Sequence, residues 1–282
     1  MNNQNNMLVG LALSGGGIRG AAHIGVLKTL LENEVQIDAL AGTSAGAMVA
    51  ALHAFDVPIK TMSKLISNLN WFKISNFGFP KLGLLSNEEL GGHFINLIGD
   101  VNIEDAKIPL SIVATDISTG EKVVLQRGNL ARAIRASASI PGMFKPVEIE
   151  KRLLVDGMLV ENIPVSPLFE MGVPCVLAVD LSADHSYIKP EGIIDVMINA
   201  FEIAIDSNIQ YQIQKADYVI APNLAKFSRT DPDKIPELIK AGACGTKLSI
   251  TEIKKHVEQT YRRHSKNPLL FLPQWLEDKL GD

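Results

Sequence analysis

A serine between two glycines, directly after an apolar run, is the first place where this sequence offers reactive chemistry. The run 37–41 leads into Gly42-Thr43-Ser44-Ala45-Gly46, and small helix-forming residues follow. This is the G-x-S-x-G pattern of a nucleophile elbow, a strand-to-helix turn so tight that the serine backbone is strained. Gly42 and Gly46 fit because side chains there would collide in the turn. Ser44 is therefore the candidate nucleophile, although a simple glycine-serine loop before a helix has the same pattern.

A second glycine-rich stretch lies one strand and one helix earlier. The apolar run 7–13 opens into Ser14-Gly15-Gly16-Gly17-Ile18-Arg19-Gly20, called the glycine loop below, and a helix is predicted over 21–34. Exposed backbone N–H groups in such a loop stabilise an oxyanion, the negatively charged oxygen that forms when a nucleophile attacks an ester. The sequence therefore pairs a candidate nucleophile with a candidate oxyanion hole.

The glycine loop also satisfies the dinucleotide-binding pattern G-x-G-x-x-G through Gly15, Gly17 and Gly20. Asp38 lies at about the distance expected of a ribose-binding acid. However, Asp38 is predicted at the start of the second strand, whereas a ribose would lie at the carboxyl end. We therefore favour the oxyanion role, with a nucleotide-binding module as the alternative.

A serine hydroxyl needs a base, and the residues offer two kinds. His185, His256 and His264 lie downstream, as a Ser-His-Asp triad would require, but none follows a clear strand. Asp156 directly follows the apolar residues 153–155 and precedes Gly157. Burial at a strand end would raise the pKa of this carboxyl and strengthen it as a base, although Asp-Gly is also a common turn. Both arrangements remain open from the residues alone.

Three motifs in this order resemble those of the patatin-like phospholipase family. They are Gly15-Gly16-Gly17-Ile18-Arg19-Gly20, Gly42-Thr43-Ser44-Ala45-Gly46 and Asp156-Gly157-Met158. Further matches lie at 114–116, 119–121 and 136–147, so that the resemblance covers about residues 8–181. Met158 departs from the small residue usual in the third motif, whereas the acid and its glycine are present. Within this family the chain resembles small bacterial proteins with little beyond the patatin domain.

This resemblance implies a three-layer α/β/α fold with a central, mostly parallel sheet, and a Ser44–Asp156 catalytic dyad. It implies hydrolysis of lipid acyl esters, of the phospholipase A, lysophospholipase or esterase type, without metal or cofactor. The expected substrate is a lipid ester at a membrane surface. The amides of Gly15, Gly16 and Gly17 would form the oxyanion hole. The other motif residues would support the shape of the three motifs: Arg19, Gly20, Gly42, Gly46 and Gly157.

Two charged or polar residues near the glycine loop have alternative roles. Arg19 is predicted to pin the loop, with contact to a phosphate head group as the alternative. His23 lies on the first turn of the following helix, and we expect it to be structural.

Arg132 and Arg135 are expected to be solvated charges on a helix over 130–137.

The rest of the chain is predicted as one domain over residues 1–282, with its core at about 8–181 and helices after it. A long helix over 241–264 is expected to break near Gly245. The aromatic stretch 71–79 is either a lid over an acyl chain or plain core. The apolar tail 267–276 is either an interfacial anchor or a segment packed on the domain or on a second subunit. If the protein forms a homo-oligomer, we expect the contacts at the C-terminal helices.

Composition limits the classes of function. The chain has 282 residues, 46% of them hydrophobic, and a formal net charge of -4. This charge argues against a broad basic surface for nucleic acid. Two distant cysteines, Cys175 and Cys244, do not suggest a disulfide framework. With neither a signal peptide nor a membrane-spanning run in evidence, we predict a cytoplasmic protein with peripheral membrane contact. A regulatory protein without catalysis is the remaining alternative.

Overall fold

The computed structural model describes residues 9–68, 85–183, 189–228 and 231–266. Eight strands form one sheet. Their bounds are β1 Val9–Leu13, β2 Ala39–Thr43, β3 Leu110–Asp116, β4 Lys122–Leu125, β5 Val147–Ile149, β6 Arg152–Asp156, β7 Cys175–Val179 and β8 Tyr218–Ile220. The helices are α1 Ala22–Glu32, α2 Ala45–Ala54, α3 Ile59–Asn68, α4 Glu88–Ile98, α5 Leu130–Ser137, α6 Ser166–Glu170, α7 Ile193–Ile213 and α8 Ile235–Lys266.

The centre of the sheet is parallel, as predicted. In the order β3-β2-β1-β7-β8, every neighbouring pair runs in the same direction. The strands β4 and β6 pair antiparallel with β3, and β5 pairs antiparallel with β6. Parallel strands covered on both faces are apolar along their whole length, and this explains why β1 and β7 are fully buried.

Alternate residues of the central strands enter two separate apolar clusters, one on each face of the sheet. Leu11 and Leu40 join the cluster formed with α1, α2, α3, α5 and α8, whereas Ala12 and Ala41 join the cluster formed with α6 and α7. Because side chains alternate across a strand, the sheet is the middle layer between two helical layers. The three-layer α/β/α prediction is confirmed.

The carboxyl ends of β2 and β6 meet head to head beside β3. Both β4 and β2 pair with Val113 of β3, so they flank β3 on opposite edges. Both β4 and β6 pair with Ala114, so β6 lies on the same edge as β2. Thr43, the last residue of β2, is opposite Val113, and Asp156, the last residue of β6, is opposite Ala114. The residue after β2 and the last residue of β6 are thereby brought together.

The predicted break near Gly245 is wrong, because α8 is one continuous helix. A Cβ at Gly245 would lie 2.9 Å from the Cα of Pro222, so this glycine permits a close approach rather than a bend. A similar contact joins α8 to α1. There a Cβ on Gly242 would lie 2.0 Å from the carbonyl oxygen of Ala22, closer than any side chain allows. Small residues therefore place α8 directly against the helix that follows the glycine loop.

Several predictions fall outside the described residues. They concern the aromatic stretch 71–79, His185 and the apolar tail 267–276. Within the described parts of the chain, no helix has both the length and the apolar character needed to span a bilayer.

Candidate active site

Ser44 occupies the turn between β2 and α2 with the strained backbone that the sequence pattern predicts. Its φ is 54° and its ψ is -122°, a conformation that residues other than glycine rarely adopt. The turn is tight enough that a Cβ at Gly46 would lie 2.0 Å from the carbonyl oxygen of Leu13, and one at Gly42 would collide with Ala47. Both flanking glycines are therefore needed for the turn. The Ser44 side chain lies at the amino end of α2, where the helix dipole favours negative charge.

The Ser44 hydroxyl donates a hydrogen bond to Oδ2 of Asp156 at 2.6 Å. This short, direct contact follows from the head-to-head arrangement of β2 and β6. Oδ1 of the same carboxylate accepts the N–H of Met158 at 2.9 Å, and this bond orients the carboxylate. A Cβ on Gly157 would lie 2.3 Å from the carbonyl oxygen of Val113, so only glycine fits directly after the acid.

Asp156 is fully buried, and burial changes its acidity. Loss of water raises the pKa of its carboxyl from 3.8 to about 7, although the hydrogen bonds from Ser44 and Met158 lower it in part. Desolvation penalises the charged carboxylate, whereas hydrogen bonds stabilise it. A carboxyl with a pKa near neutrality can both accept and return a proton at physiological pH. Asp156 therefore has the raised pKa that burial at a strand end predicts.

Ser137 binds the backbone of the elbow, and its local sequence pattern does not predict this role. Its Oγ accepts the backbone N–H of Ser44 at 2.8 Å and donates to the carbonyl oxygen of Val113 at 2.6 Å. The residue lies at the end of α5 and is fully buried. Ser137 thus fixes the strained backbone of Ser44 to β3.

A polar cluster below the site holds Asp156 in place. The carbonyl oxygen of Ser139 accepts the backbone N–H of Asp156 at 2.9 Å. Asn87 donates to Oγ of Ser139 at 3.0 Å, and Arg135 donates to Oδ1 of Asn87 at 3.2 Å. The prediction that Arg135 is a solvated charge is wrong, because its side chain is only 23% exposed and belongs to this cluster; Arg132 on the same helix is exposed, as expected.

The backbone N–H groups of the glycine loop differ in whether they have a hydrogen-bond acceptor. The N–H of Gly15 donates to the carbonyl oxygen of Asn162 at 3.1 Å, and this bond removes Gly15 from the donors available to an oxyanion. Gly16 and Gly17 lie at the start of a 3-10 turn, and among the described residues their N–H groups have no acceptor. Amides at a helix start have no internal partners, which leaves them available to a bound anion. A Cβ at Gly20 would lie 2.4 Å from that of Ala45, so this glycine lets the loop approach the elbow.

Arg19 and His23 both hold the glycine loop, as predicted. The Arg19 guanidinium is buried and donates through Nε and Nη2 to the carbonyl oxygen of Phe227, at 2.9 and 2.6 Å. Nε2 of His23 lies 2.8 Å from the carbonyl oxygen of Ser14, and since a carbonyl only accepts, Nε2 carries the hydrogen. Burial lowers the pKa of His23 to about 4, so this imidazole stays neutral at physiological pH.

Asp38 does not belong to the site. Its Oδ2 accepts the N–H of Val9 at 3.0 Å, at the start of β1. The glycine loop follows Leu13 at the other end of that strand. A ribose acid would have to lie at the carboxyl edge of the sheet, where the loop is. This arrangement argues against the dinucleotide alternative.

His256 is also remote from Ser44. Its ring packs against Tyr218 of β8, with 5.5 Å between the ring centroids. Three strand spacings separate β8 from β2, which corresponds to about 14 Å. Within the described part of the chain, no group of three or more His, Cys, Asp or Glu side chains is arranged to hold a metal ion.

Comparison with known proteins identifies a family whose model covers these residues. The family model described as patatin-like phospholipase matches residues 11–169, more than half of the chain, and includes the glycine loop, Ser44 and Asp156. The chain belongs to the patatin-like phospholipase family.

Its relatives include longer proteins. An uncharacterised NTE family protein of Mycobacterium tuberculosis is 36% identical over 180 residues, which cover 63% of this chain and 50% of the relative. The neuropathy target esterase sws of Drosophila melanogaster is 33% identical, over 62% of this chain and 13% of the relative. Lysophospholipase NTE1 of Mycosarcoma maydis is also 33% identical, over 63% of this chain and 10% of the relative. The chain thus matches half of these relatives' length or less.

Among solved structures, VipD from Legionella pneumophila is similar with a TM-score of 0.58. The alignment covers 89% of this chain and 67% of VipD, at 15% sequence identity. This similarity concerns the fold. It includes residues beyond those that the family model matches.

Proposed function

We propose that this protein is a serine acyl hydrolase of lipid esters that uses a Ser44–Asp156 dyad. The observation that carries the proposal is the 2.6 Å hydrogen bond from the Ser44 hydroxyl to a buried carboxylate. The strained elbow supports it, as do the amides of Gly16 and Gly17, which have no acceptor among the described residues. All these residues lie inside the segment that the patatin-like family model matches.

The proposed reaction has two halves. Ser44 Oγ attacks the ester carbonyl carbon, and its proton moves to Oδ2 of Asp156. The carbonyl oxygen becomes an oxyanion that accepts hydrogen bonds from the amides of Gly16 and Gly17. Collapse of the tetrahedral intermediate expels the alcohol, which takes the proton from Asp156 and leaves an acyl group on Ser44. Water then attacks this acyl-enzyme with Asp156 again as base, and the fatty acid is released.

The proposed substrate is a lipid ester presented at a membrane or micelle surface. Relatives named as esterase and lysophospholipase support this class. We propose phospholipase A, lysophospholipase and simple esterase activity as the range to be tested. Since Asp156 and water supply all proton transfers, the proposed reaction requires neither metal nor cofactor.

A product screen over defined lipids tests the function. Wild-type protein is incubated with phospholipids, lysophospholipids and short-chain esters, and released fatty acid is quantified by mass spectrometry. We expect release by the wild type and by Ser207→Ala, a control at an exposed serine on α7, and none by Ser44→Ala. No fatty acid release from any lipid by the wild type, together with firm dinucleotide binding by calorimetry, would contradict the proposal.

A further inference from the structure

The chain segment after Asp156 contacts both other parts of the site through its main chain. The carbonyl oxygen of Glu161 accepts the hydroxyl of Thr43 at 2.9 Å, and the carbonyl oxygen of Asn162 accepts the N–H of Gly15 at 3.1 Å. The segment thereby connects the acid, the strand before Ser44 and the glycine loop. Because Asn162 makes this connection through its backbone, its side chain is not needed for it.

The Asn162 carboxamide lies beside Ser44. A Cβ on Gly15 would lie 2.6 Å from Oδ1 of Asn162 and 3.3 Å from Cβ of Ser44. Both side chains therefore border the same small space at Gly15. This also explains why the first loop glycine has no side chain: the Asn162 carboxamide occupies that volume.

This carboxamide has no partner among the described residues. Asn162 is 5% exposed, and within the described ranges no hydrogen bond engages its side chain. Among the described residues, Nδ1 of His23 is the one side-chain N or O atom that is fully buried and has no hydrogen-bond partner. Since the Asn162 side chain also has no partner but is absent from that class, its polar atoms keep some accessible surface. Buried amides are nearly always hydrogen-bonded, and one that is unpaired yet accessible is suited to a bound ligand.

A carboxamide also has the right chemistry for the reaction proposed above. It presents an N–H₂ donor on one side and an oxygen on the other, and rotation exchanges them. Asparagine and glutamine side chains are established donors to oxyanions. With Gly15 engaged by the Asn162 backbone, the loop supplies two amides, and a side-chain donor beside Ser44 would complete a three-donor site.

We propose that Asn162 is a catalytic residue whose Nδ2–H donates to the carbonyl oxygen of the bound ester. The inference rests on the proposed hydrolase function. As Ser44 Oγ bonds to the carbonyl carbon, the π electrons move to the carbonyl oxygen and the serine proton moves to Asp156. Asn162 keeps its own protons and stabilises the charge on that oxygen. Its bond is stronger in the transition state than in the ground state, so it acts on kcat more than on KM.

The test compares Asn162→Leu and Asn162→Asp with the wild type. Both substitutions approximate the size of asparagine and retain the backbone carbonyl that binds Gly15, but they remove the N–H donor. We expect kcat to fall by about 100-fold or more, the scale of losing one oxyanion donor, with KM changed less than threefold. Gln212→Ala is the matched control, because the Gln212 carboxamide supports the same segment by accepting the N–H of Ile163 at 2.9 Å, away from Ser44.

Two inhibitors separate catalysis from structure. A trifluoromethyl ketone analogue of the lipid forms an oxyanion on Ser44, whereas an ether analogue binds without forming one. We expect the Asn162 variants to lose about 100-fold in affinity for the ketone and little for the ether. Equal losses for both inhibitors, or unchanged kcat and ketone affinity, would overturn the inference alone. Absence of wild-type turnover and of any Ser44 adduct would overturn the proposed function and this inference with it.

Discussion

Two aspartates at opposite ends of the strands of the central sheet, Asp38 and Asp156, contact different groups. At the amino edge, Asp38 precedes β2 and accepts the backbone N–H of Val9. At the carboxyl edge, Asp156 ends β6 and accepts the hydroxyl of Ser44. Asp217, which precedes β8, repeats the first arrangement by accepting the N–H of Val176 at 2.8 Å. At Asp38 and Asp217 the backbone partner completes strand pairing, whereas the partner of Asp156 is the hydroxyl of the candidate nucleophile.

The difference arises from how the strands end. At the amino edge, a strand begins beside a neighbour that runs in the same direction, and an acid there satisfies a main-chain donor. At the carboxyl edge, β2 and β6 approach from opposite directions and end at adjacent residues of β3. Ser44, directly after β2, and Asp156, the last residue of β6, therefore come into contact in the buried interior. The proposed chemistry is therefore confined to the one edge where two strands end head to head.

The largest expected effect is the difference in kcat/KM between two variants, Asp156→Asn and Asp38→Asn. Asp156→Asn preserves shape but removes the base, and we expect kcat/KM to fall by about 10⁴-fold, the scale of losing the acid of a serine hydrolase triad. Asp38→Asn should retain activity within about threefold, since its role is to pair two strands. Steady-state kinetics on the best lipid ester measure both, and circular dichroism checks the fold.

The histidines provide the competing outcome of that experiment. His185→Ala, His256→Ala and His264→Ala should each retain most of the activity, since none is expected to act as the base. If one folded histidine variant were as inactive as Ser44→Ala, a triad would replace the dyad. His23→Ala is not a clean test, because His23 holds the carbonyl of Ser14 at the start of the glycine loop.

A smaller effect is expected from Gly16→Val. A Cβ at Gly16 would lie 3.0 Å from Cδ1 of Leu181, so a branched side chain must displace the loop and its amides. Turnover should fall by about 100-fold, as for loss of an oxyanion donor. Gly92→Val on α4 is the matched control, since nothing lies within 4 Å of a Cβ there. Equal activity of the two variants would show that the loop amides play no part.

The smallest single step, about tenfold per pH unit, is expected from the pH dependence set by Asp156. Its pKa of about 7 means that the carboxylate, which is the proposed base, is the minor form below neutrality. The kcat/KM of the wild type should therefore rise about tenfold per pH unit below about 7 and level off above it. Rates measured from pH 5 to 9 with a neutral ester check this. A flat profile down to pH 5 would mean that a group with a much lower pKa is the base.

Local patterns were enough to select the candidate reactive residues, because each is signalled by its immediate neighbours. The glycines around Ser44 are required by the turn itself, and Asp156 follows an apolar strand. The roles of Ser137 and Arg135 could not be predicted in this way. Ser137 contacts residue 44 across 93 positions of chain, and the Arg135 side chain bonds to Asn87. Such contacts depend on strand register, which the periodicity of one segment does not determine.

The glycines show the same limit. The pattern of the glycine loop did not distinguish Gly15, whose amide is engaged by Asn162, from Gly16 and Gly17. Gly245 predicted a break, but the close approach of Pro222 explains it. Arg19 was predicted to pin the loop, yet its acceptor, the carbonyl of Phe227, is 208 residues away. A glycine or an arginine in a sequence marks a constraint, and the partner that imposes it is visible only in the fold.

Active-site labelling tests whether Ser44 is the covalent nucleophile, on which the proposed reaction depends. Wild-type protein and Ser44→Ala are treated with a fluorophosphonate, digested, and the modified residue is located by peptide mass spectrometry. We predict one adduct, on Ser44, in the wild type and none in the variant. An adduct on any other serine, or equal labelling of Ser44→Ala, would contradict it.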